Sequence, residues 1–138
     1  MRNILRNIIT KCMHPAASIG IDSYAAPSST ISYGSKIGDY SYVAKGVIVS
    51  DAKIGNYCSI GPYSLIGLGE HDHKALSTSL SSGIHTKSLL QDDCILGHDV
   101  WVGAGAVIRR GICIGNGAVI GANSVITSDV EPYSIVVE

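Results

Sequence analysis

The sequence has no phenylalanine, one tryptophan and no C-x-x-C pair, and charged residues make up only 15% of its 138 positions. Each shortage excludes something. There is no lysine- or arginine-rich run, and ten basic residues face eleven acidic ones, so the electrostatic footprint of a nucleic-acid binder is missing. The four cysteines, Cys12, Cys58, Cys94 and Cys113, lack zinc-finger spacing. They read as reduced thiols of a cytoplasmic protein. Residues 111–128 are uncharged but punctuated by Gly, Asn, Ser and Thr, and so do not make a membrane span. With 46% apolar residues the chain can still bury a core, and its length suits one domain over 1–138. That core must come from Ile, Val and Ala on a backbone that turns often, because 16 residues are glycine.

The first thirteen residues hold Arg2, Arg6 and Lys11 and no acid. Ile4, Leu5, Ile8, Ile9, Cys12 and Met13 recur with the spacing of one helical face. An unbroken apolar stretch of the signal-peptide kind is absent. The reading is a short amphipathic helix over 1–14 whose apolar face covers one end of the domain, with membrane-surface binding as the alternative.

Internal periodicity decides the rest. Leu96, Val102, Ile108, Ile114, Ile120 and Ile126 open six consecutive hexads, and Val100, Ala106, Ile112, Ala118, Ser124 and Val130 fill their fifth places. Ile19, Ile31, Ile37, Val43, Ile54, Ile60 and Ile66 continue the pattern upstream, with one residue missing near Val49. A helix face repeats at 3 or 4 and a strand at 2. A period of six fits a short strand followed by a tight turn of Gly, Asn or Asp. Such faces stacked about 4.8 Å apart form a parallel β-helix, whose narrow axis leaves no room for aromatics. The repeat covers 19–67 and 95–131. Between them, 68–93 obeys no repeat and carries His71, His73 and His85, three of five histidines in the chain. Long irregular loops in compact domains are usually functional or disordered.

These hexads resemble the hexapeptide-repeat, left-handed parallel β-helix acyltransferases, and the handedness is implied by that resemblance alone. The loop is similar to that of the sugar and xenobiotic O-acetyltransferases, whose catalytic His stands six residues before Ser-Thr-Ser. Here His71 stands six before Ser77-Thr78-Ser79, although Asp72 replaces the Pro common after that His. The resemblance implies that His71 is a general base, its tautomer held by Glu70, Asp72 or a backbone carbonyl. It implies acetyl-CoA as co-substrate, lying against residues matching Trp101, Gly103, Ala104, Ala122 and Thr127, and a homotrimer with sites at its subunit interfaces. The family often has Lys where Ser128 stands and continues with a basic tail past the position of Glu138. Either the sequence is truncated there, or Arg109 and Arg110 are the exposed cations for the coenzyme phosphates. The implied acceptor is a small hydroxylated molecule, with a sugar or polysaccharide precursor favoured.

Each residue also has a plainer reading. Trp101 can equally shield an end of the loop, Ala104 and Ala122 satisfy the fold, and His98 occupies a turn slot where polar residues serve structure. Two rivals stand beside the transferase. A γ-carbonic-anhydrase-like metal site needs a pair of His five residues apart, and no histidine pair here has that spacing. A non-catalytic trimer has no use for the long loop.

Overall fold

The structure is a computed structural model that describes residues 2–71, 74, 76–79 and 93–137. Among them a helix, α1 (Arg2–Met13), precedes a succession of short strands. These are β1 (Ser18–Ile19), β2 (Tyr24–Ala25), β3 (Thr30–Ile31), β4 (Lys36–Ile37), β5 (Tyr42–Val43), β6 (Ile48–Val49), β7 (Ala52–Ile54) and β8 (Ser59–Ile60). They continue as β9 (Leu65–Leu68), β10 (Cys94–Leu96), β11 (Trp101–Val102), β12 (Val107–Arg109), β13 (Cys113–Ile114), β14 (Val119–Ile120), β15 (Val125–Ile126) and β16 (Ile135–Val136). Every third strand joins the same sheet as far as β15, and β16 follows β14 by two because the intervening step is only an isolated bridge between Ile114 and Val130. The first sheet runs β1-β4-β7-β10-β13, the second β2-β5-β8-β11-β14-β16 and the third β3-β6-β9-β12-β15, all parallel. This is the left-handed β-helix of three sheets around one axis.

Register shows how the hexads build it. Trp101 pairs with Val119 and Val107 with Val125, each eighteen positions on, or three hexads per coil. Tyr42 pairs with Ser59 after only seventeen, because the step from Val49 to Ile54 is one residue short. Leu65 pairs with Val107 after forty-two, so the excursion inserts twenty-four residues without breaking the stack. Every hexad opener from Ile31 to Ile126 is buried. Ala25 and Val49 also hold opener positions, which the aliphatic pattern alone passes over.

Serines in the fifth place are buried without penalty because their hydroxyls staple neighbouring coils. Ser23 Oγ donates to Gly38 O at 2.6 Å, Ser41 Oγ to Gly55 O at 2.8 Å and Ser64 Oγ to Gly103 O at 2.9 Å. At the corner between first and second sheets a polar ladder does similar work. Asp39 Oδ1 accepts from Ile21 N, Asn56 Oδ1 from Asp39 N, His98 Nδ1 from Asn56 N and Asn116 Oδ1 from His98 N, at 2.7–3.0 Å. His98 is thereby a rung of the scaffold, in keeping with the turn-slot reading.

Two expectations are corrected. Turn positions with positive φ are not confined to Gly, Asn and Asp, since Tyr40, Tyr57, Tyr63 and Tyr133 adopt φ of 55–60°. Ring packing compensates the backbone cost. Tyr40 stacks on Tyr57 with centroids 5.1 Å apart, while the rings of Tyr63 and Tyr133 lie on Gly46 and Gly117 of the preceding coil. The second correction concerns α1. Its apolar residues do not cover the prism: Leu5, Ile8, Ile9, Cys12 and Met13 are exposed, and Thr10 and His14 face inward instead. Hydrogen bonds choose that face. Thr10 Oγ1 donates to Ala25 O at 3.4 Å, and His14 Nε2 lies 3.2 Å from Ala26 O and 3.3 Å from Ser29 Oγ.

Candidate active site

The excursion leaves the prism at the corner between third and first sheets and is pinned there by charge. Beyond β9, Glu70 forms an ion pair with Arg109 at the end of β12. On the return, Asp93 Oδ2 lies 2.8 Å from Lys53 Nζ on β7. Each raises the other's preference for charge, mainly through their hydrogen bond. The Asp93 carboxyl is held below its ordinary range and the Lys53 amine above its own. Arg110 Nη1 meets Asp51 Oδ2 at 2.9 Å across the loop root, two coils earlier in the stack. Thus Arg109 and Arg110, considered from sequence as cations for the coenzyme phosphates, are both engaged by acids at the base of the loop. The sequence had placed no acid near them because Glu70 and Asp51 lie 39 and 59 positions upstream and meet them only through coil stacking.

His71 follows Glu70 directly. It is exposed, and its Nδ1 lies 2.7 Å from Thr78 O. A carbonyl oxygen can only accept, so Nδ1 carries the proton, and in the neutral ring Nε2 presents an open lone pair. Of the three tautomer partners considered from sequence, the structure supplies a backbone carbonyl. Glu70 is turned to Arg109, and Asp72, His73 and His85 lie outside the described residues. The Ser77–Ser79 segment therefore does more than mark the motif, since its carbonyl orients the ring. Ser77 Oγ in turn accepts from Ser79 N at 3.1 Å.

The remaining site residues divide between two corners. Gly103, Ala104 and Ala122 stack at the corner between second and third sheets, where a Cβ on Gly103 would meet Ala122 N at 2.5 Å. Gly103 N donates to Ile120 O at 2.7 Å, and Asn123 N to Ala104 O at 2.8 Å. Trp101 projects from the outer face of the second sheet, between Ser59 and Val119, and is 58% exposed. Thr127, just past β15, stands instead at the corner from which the loop leaves. Within one chain, then, Thr127 shares an edge of the prism with the loop root beside His71, and the other four positions lie across the third sheet. Cys94, by contrast, is sealed in the interior, and burial pushes its thiol up to about 12; burial also raises Cys58. Neither is a nucleophile at neutral pH. Among the described residues no group of three His, Cys, Asp or Glu is placed to hold a metal ion.

The chain belongs to the family described as bacterial transferase hexapeptide (six repeats), which it matches over residues 34–68 and 93–128. It is 36% identical over 99 residues to a chloramphenicol acetyltransferase of Agrobacterium fabrum, covering 60% of this chain and 46% of that protein. It is 38% identical over 100 residues to one of Klebsiella aerogenes, covering 60% and 45%. The chain thus spans about half the length of the curated relatives it matches. In fold it is similar to a hexapeptide-repeat-containing acetyltransferase of Vibrio cholerae, with a TM-score of 0.77, 24% identity and coverage of 96% of this chain and 80% of that one. The Vibrio protein has also been seen complexed with acetyl coenzyme A.

Proposed function

We propose that this protein is an acetyl-CoA-dependent acetyltransferase that acetylates a hydroxyl of a small acceptor, a sugar or polysaccharide precursor, with His71 as general base. The observation that carries the reading is the His71–Thr78 hydrogen bond, which leaves Nε2 as the basic nitrogen on the long excursion from the prism. The naming of the curated relatives as acetyltransferases supports the class of reaction. In the ternary complex Nε2 takes the acceptor's hydroxyl proton as its oxygen attacks the thioester carbonyl. The tetrahedral oxyanion collapses, the C–S bond breaks, and the imidazolium returns its proton to the leaving thiolate. Backbone N–H groups near the coil edges stabilise the oxyanion.

Trp101, Gly103, Ala104, Ala122 and Thr127 hold the coenzyme in this reading. The small side chains at Ala104 and Ala122 let an extended pantetheine arm approach across successive coils. Because His71 and the Gly103 corner lie on different edges of one prism, a site using both takes His71 from one chain and the groove from its neighbour. That supports a homotrimer with three interfacial sites; the compartment proposed for it, from its unpaired cysteines, is the cytoplasm. With Arg109 and Arg110 engaged by acids, the phosphates fall to other groups.

A second acceptor class, a hydroxylated drug, is favoured by the chloramphenicol acetyltransferase relatives. Thiol release from acetyl-CoA, followed over a panel of sugars and chloramphenicol, distinguishes the two. In that assay His71→Ala is expected to lower turnover by about 10²–10⁴, the usual contribution of a positioned base. Full turnover by His71→Ala would overturn the assignment.

A further inference from the structure

The inverted packing of α1 leaves a surface that the acyl-transfer reading does not use. An amphipathic helix on a globular domain ordinarily buries its apolar stripe. Here Thr10 and His14 are bonded to the first coil, and Leu5, Ile8, Ile9 and Met13 stand 60%, 53%, 39% and 52% exposed on the opposite side. Ile21, 66% exposed, lines a shallow depression beside the helix together with Lys11, Asp22 and Asp39, so the acids of this end sit on the first two coils and not on the helix itself.

Charge says what covers it. Arg2, Arg6 and Lys11 all lie on this helix, and the first acidic residue of the chain is Asp22. The first 21 residues therefore carry +3 of a chain whose total is −1, leaving −4 on the remainder. With 3.6 residues per turn, position 6 falls on one flank of the exposed apolar arc and position 11 on the other, while position 2 falls within the arc near its edge. Two such helices facing each other would bring six cations together with no acid between them. An anionic lipid surface meets both properties at once, taking apolar side chains below the headgroups and cations among them.

We propose that α1 is a membrane-surface anchor that recognises anionic phospholipid headgroups and seats Leu5, Ile8, Ile9 and Met13 at the acyl boundary. It lies in the interface plane rather than crossing it; among the described residues no helix is long and apolar enough to span a membrane. The binding is weak, reversible and salt-sensitive, as befits one short helix with three cations.

The test is co-sedimentation of the full chain with vesicles of 70:30 phosphatidylcholine and phosphatidylglycerol, against vesicles of phosphatidylcholine alone. Partitioning is expected to be at least about fivefold stronger on the anionic vesicles and to fall severalfold when salt is raised from about 0.1 to 0.5 M. The triple variant Leu5→Gln, Ile8→Gln, Met13→Gln is expected to lose about tenfold or more in partitioning with its thermal midpoint unchanged, since the three side chains are exposed. Equal partitioning of wild type and variant would overturn the proposal, as would a variant that dissociates an oligomer in the absence of vesicles. A dye on Cys12, within the exposed apolar face, in a Cys113→Ser background, gives a direct readout of insertion. A blue shift on adding anionic vesicles is expected, and an unchanged spectrum would refute insertion.

Discussion

Replacing Gly103 with alanine probes the coil edge on which the proposed coenzyme groove depends. The new Cβ would stand 2.5 Å from Ala122 N, 2.8 Å from Ala122 Cα and 2.8 Å from Gly121 C, all backbone atoms of the next coil. Ordinary contact begins near 3.5 Å, so the two coils must part by about 1 Å at this corner. That lengthens the Gly103 N to Ile120 O and Asn123 N to Ala104 O bonds, now 2.7 and 2.8 Å, beyond useful range. Losing two hydrogen bonds at about 1 kcal/mol each, with residual overpacking of about 1 kcal/mol, gives roughly 3 kcal/mol. For a chain of this size that lowers the thermal midpoint by about 10 °C. Gly69, where an added Cβ meets no atom of the described residues within 4 Å, supplies the control. Gly69→Ala is expected to stay within about 2 °C of wild type. Calorimetric melts of both variants decide the matter. Equal midpoints for Gly103→Ala and wild type would refute the stacking argument, and undiminished acetyl-CoA binding by that variant would refute the groove.

Other outcomes follow from the same geometry. A disulfide thiol reagent at pH 8 is expected to titrate Cys12 and Cys113 quickly and leave Cys58 and Cys94 until the protein is denatured. For Cys94, held near 12, only about one part in 10⁴ is thiolate at that pH, and rapid labelling of all four would contradict its burial. Because folding raises the Cys94 value, the stability it favours is complete below the ordinary thiol range and is lost as pH rises through that range toward 12. Asp93 works the other way. Its lowered value makes the Lys53 contact contribute stability above the ordinary carboxylate range and lose it as pH falls, so the protection of the Cys94–Leu96 amides, corrected for their intrinsic exchange rates, is expected to fall only below about pH 4. Loss of protection already at pH 6 would show that Asp93 does not hold the loop. Arg109→Ala frees Glu70 next to His71. Turnover is expected to fall about tenfold while the thermal midpoint moves by less than about 4 °C, as a partly exposed ion pair contributes little to stability. Unchanged turnover would remove Arg109 from any positioning role.

The prism was readable from the sequence because its period of six has no other common structural meaning. The openers from Leu96 to Ile126 occupy the core in the register their spacing implies. Ala25 escaped the pattern because a small side chain does not announce burial, and the tyrosines with positive φ escaped because their compensation is packing between coils. Helical periodicity located an apolar face on α1, but it carries no sign telling which face meets the prism. Thr10 and His14 settle that through bonds to Ala25 and Ala26, which no spacing rule anticipates. The same holds for His71. Its position before Ser77-Thr78-Ser79 was legible by resemblance, whereas the Thr78 carbonyl that selects its tautomer depends on how the loop folds back.

Titration of the assembled 138-residue chain with acetyl-CoA by calorimetry tests the central claim most directly. Saturable binding near one coenzyme per chain, weakened by Gly103→Ala and retained by His71→Ala, is the expected result. An absence of binding heat at concentrations where the chain is assembled would contradict the coenzyme groove and with it the acetyltransferase reading.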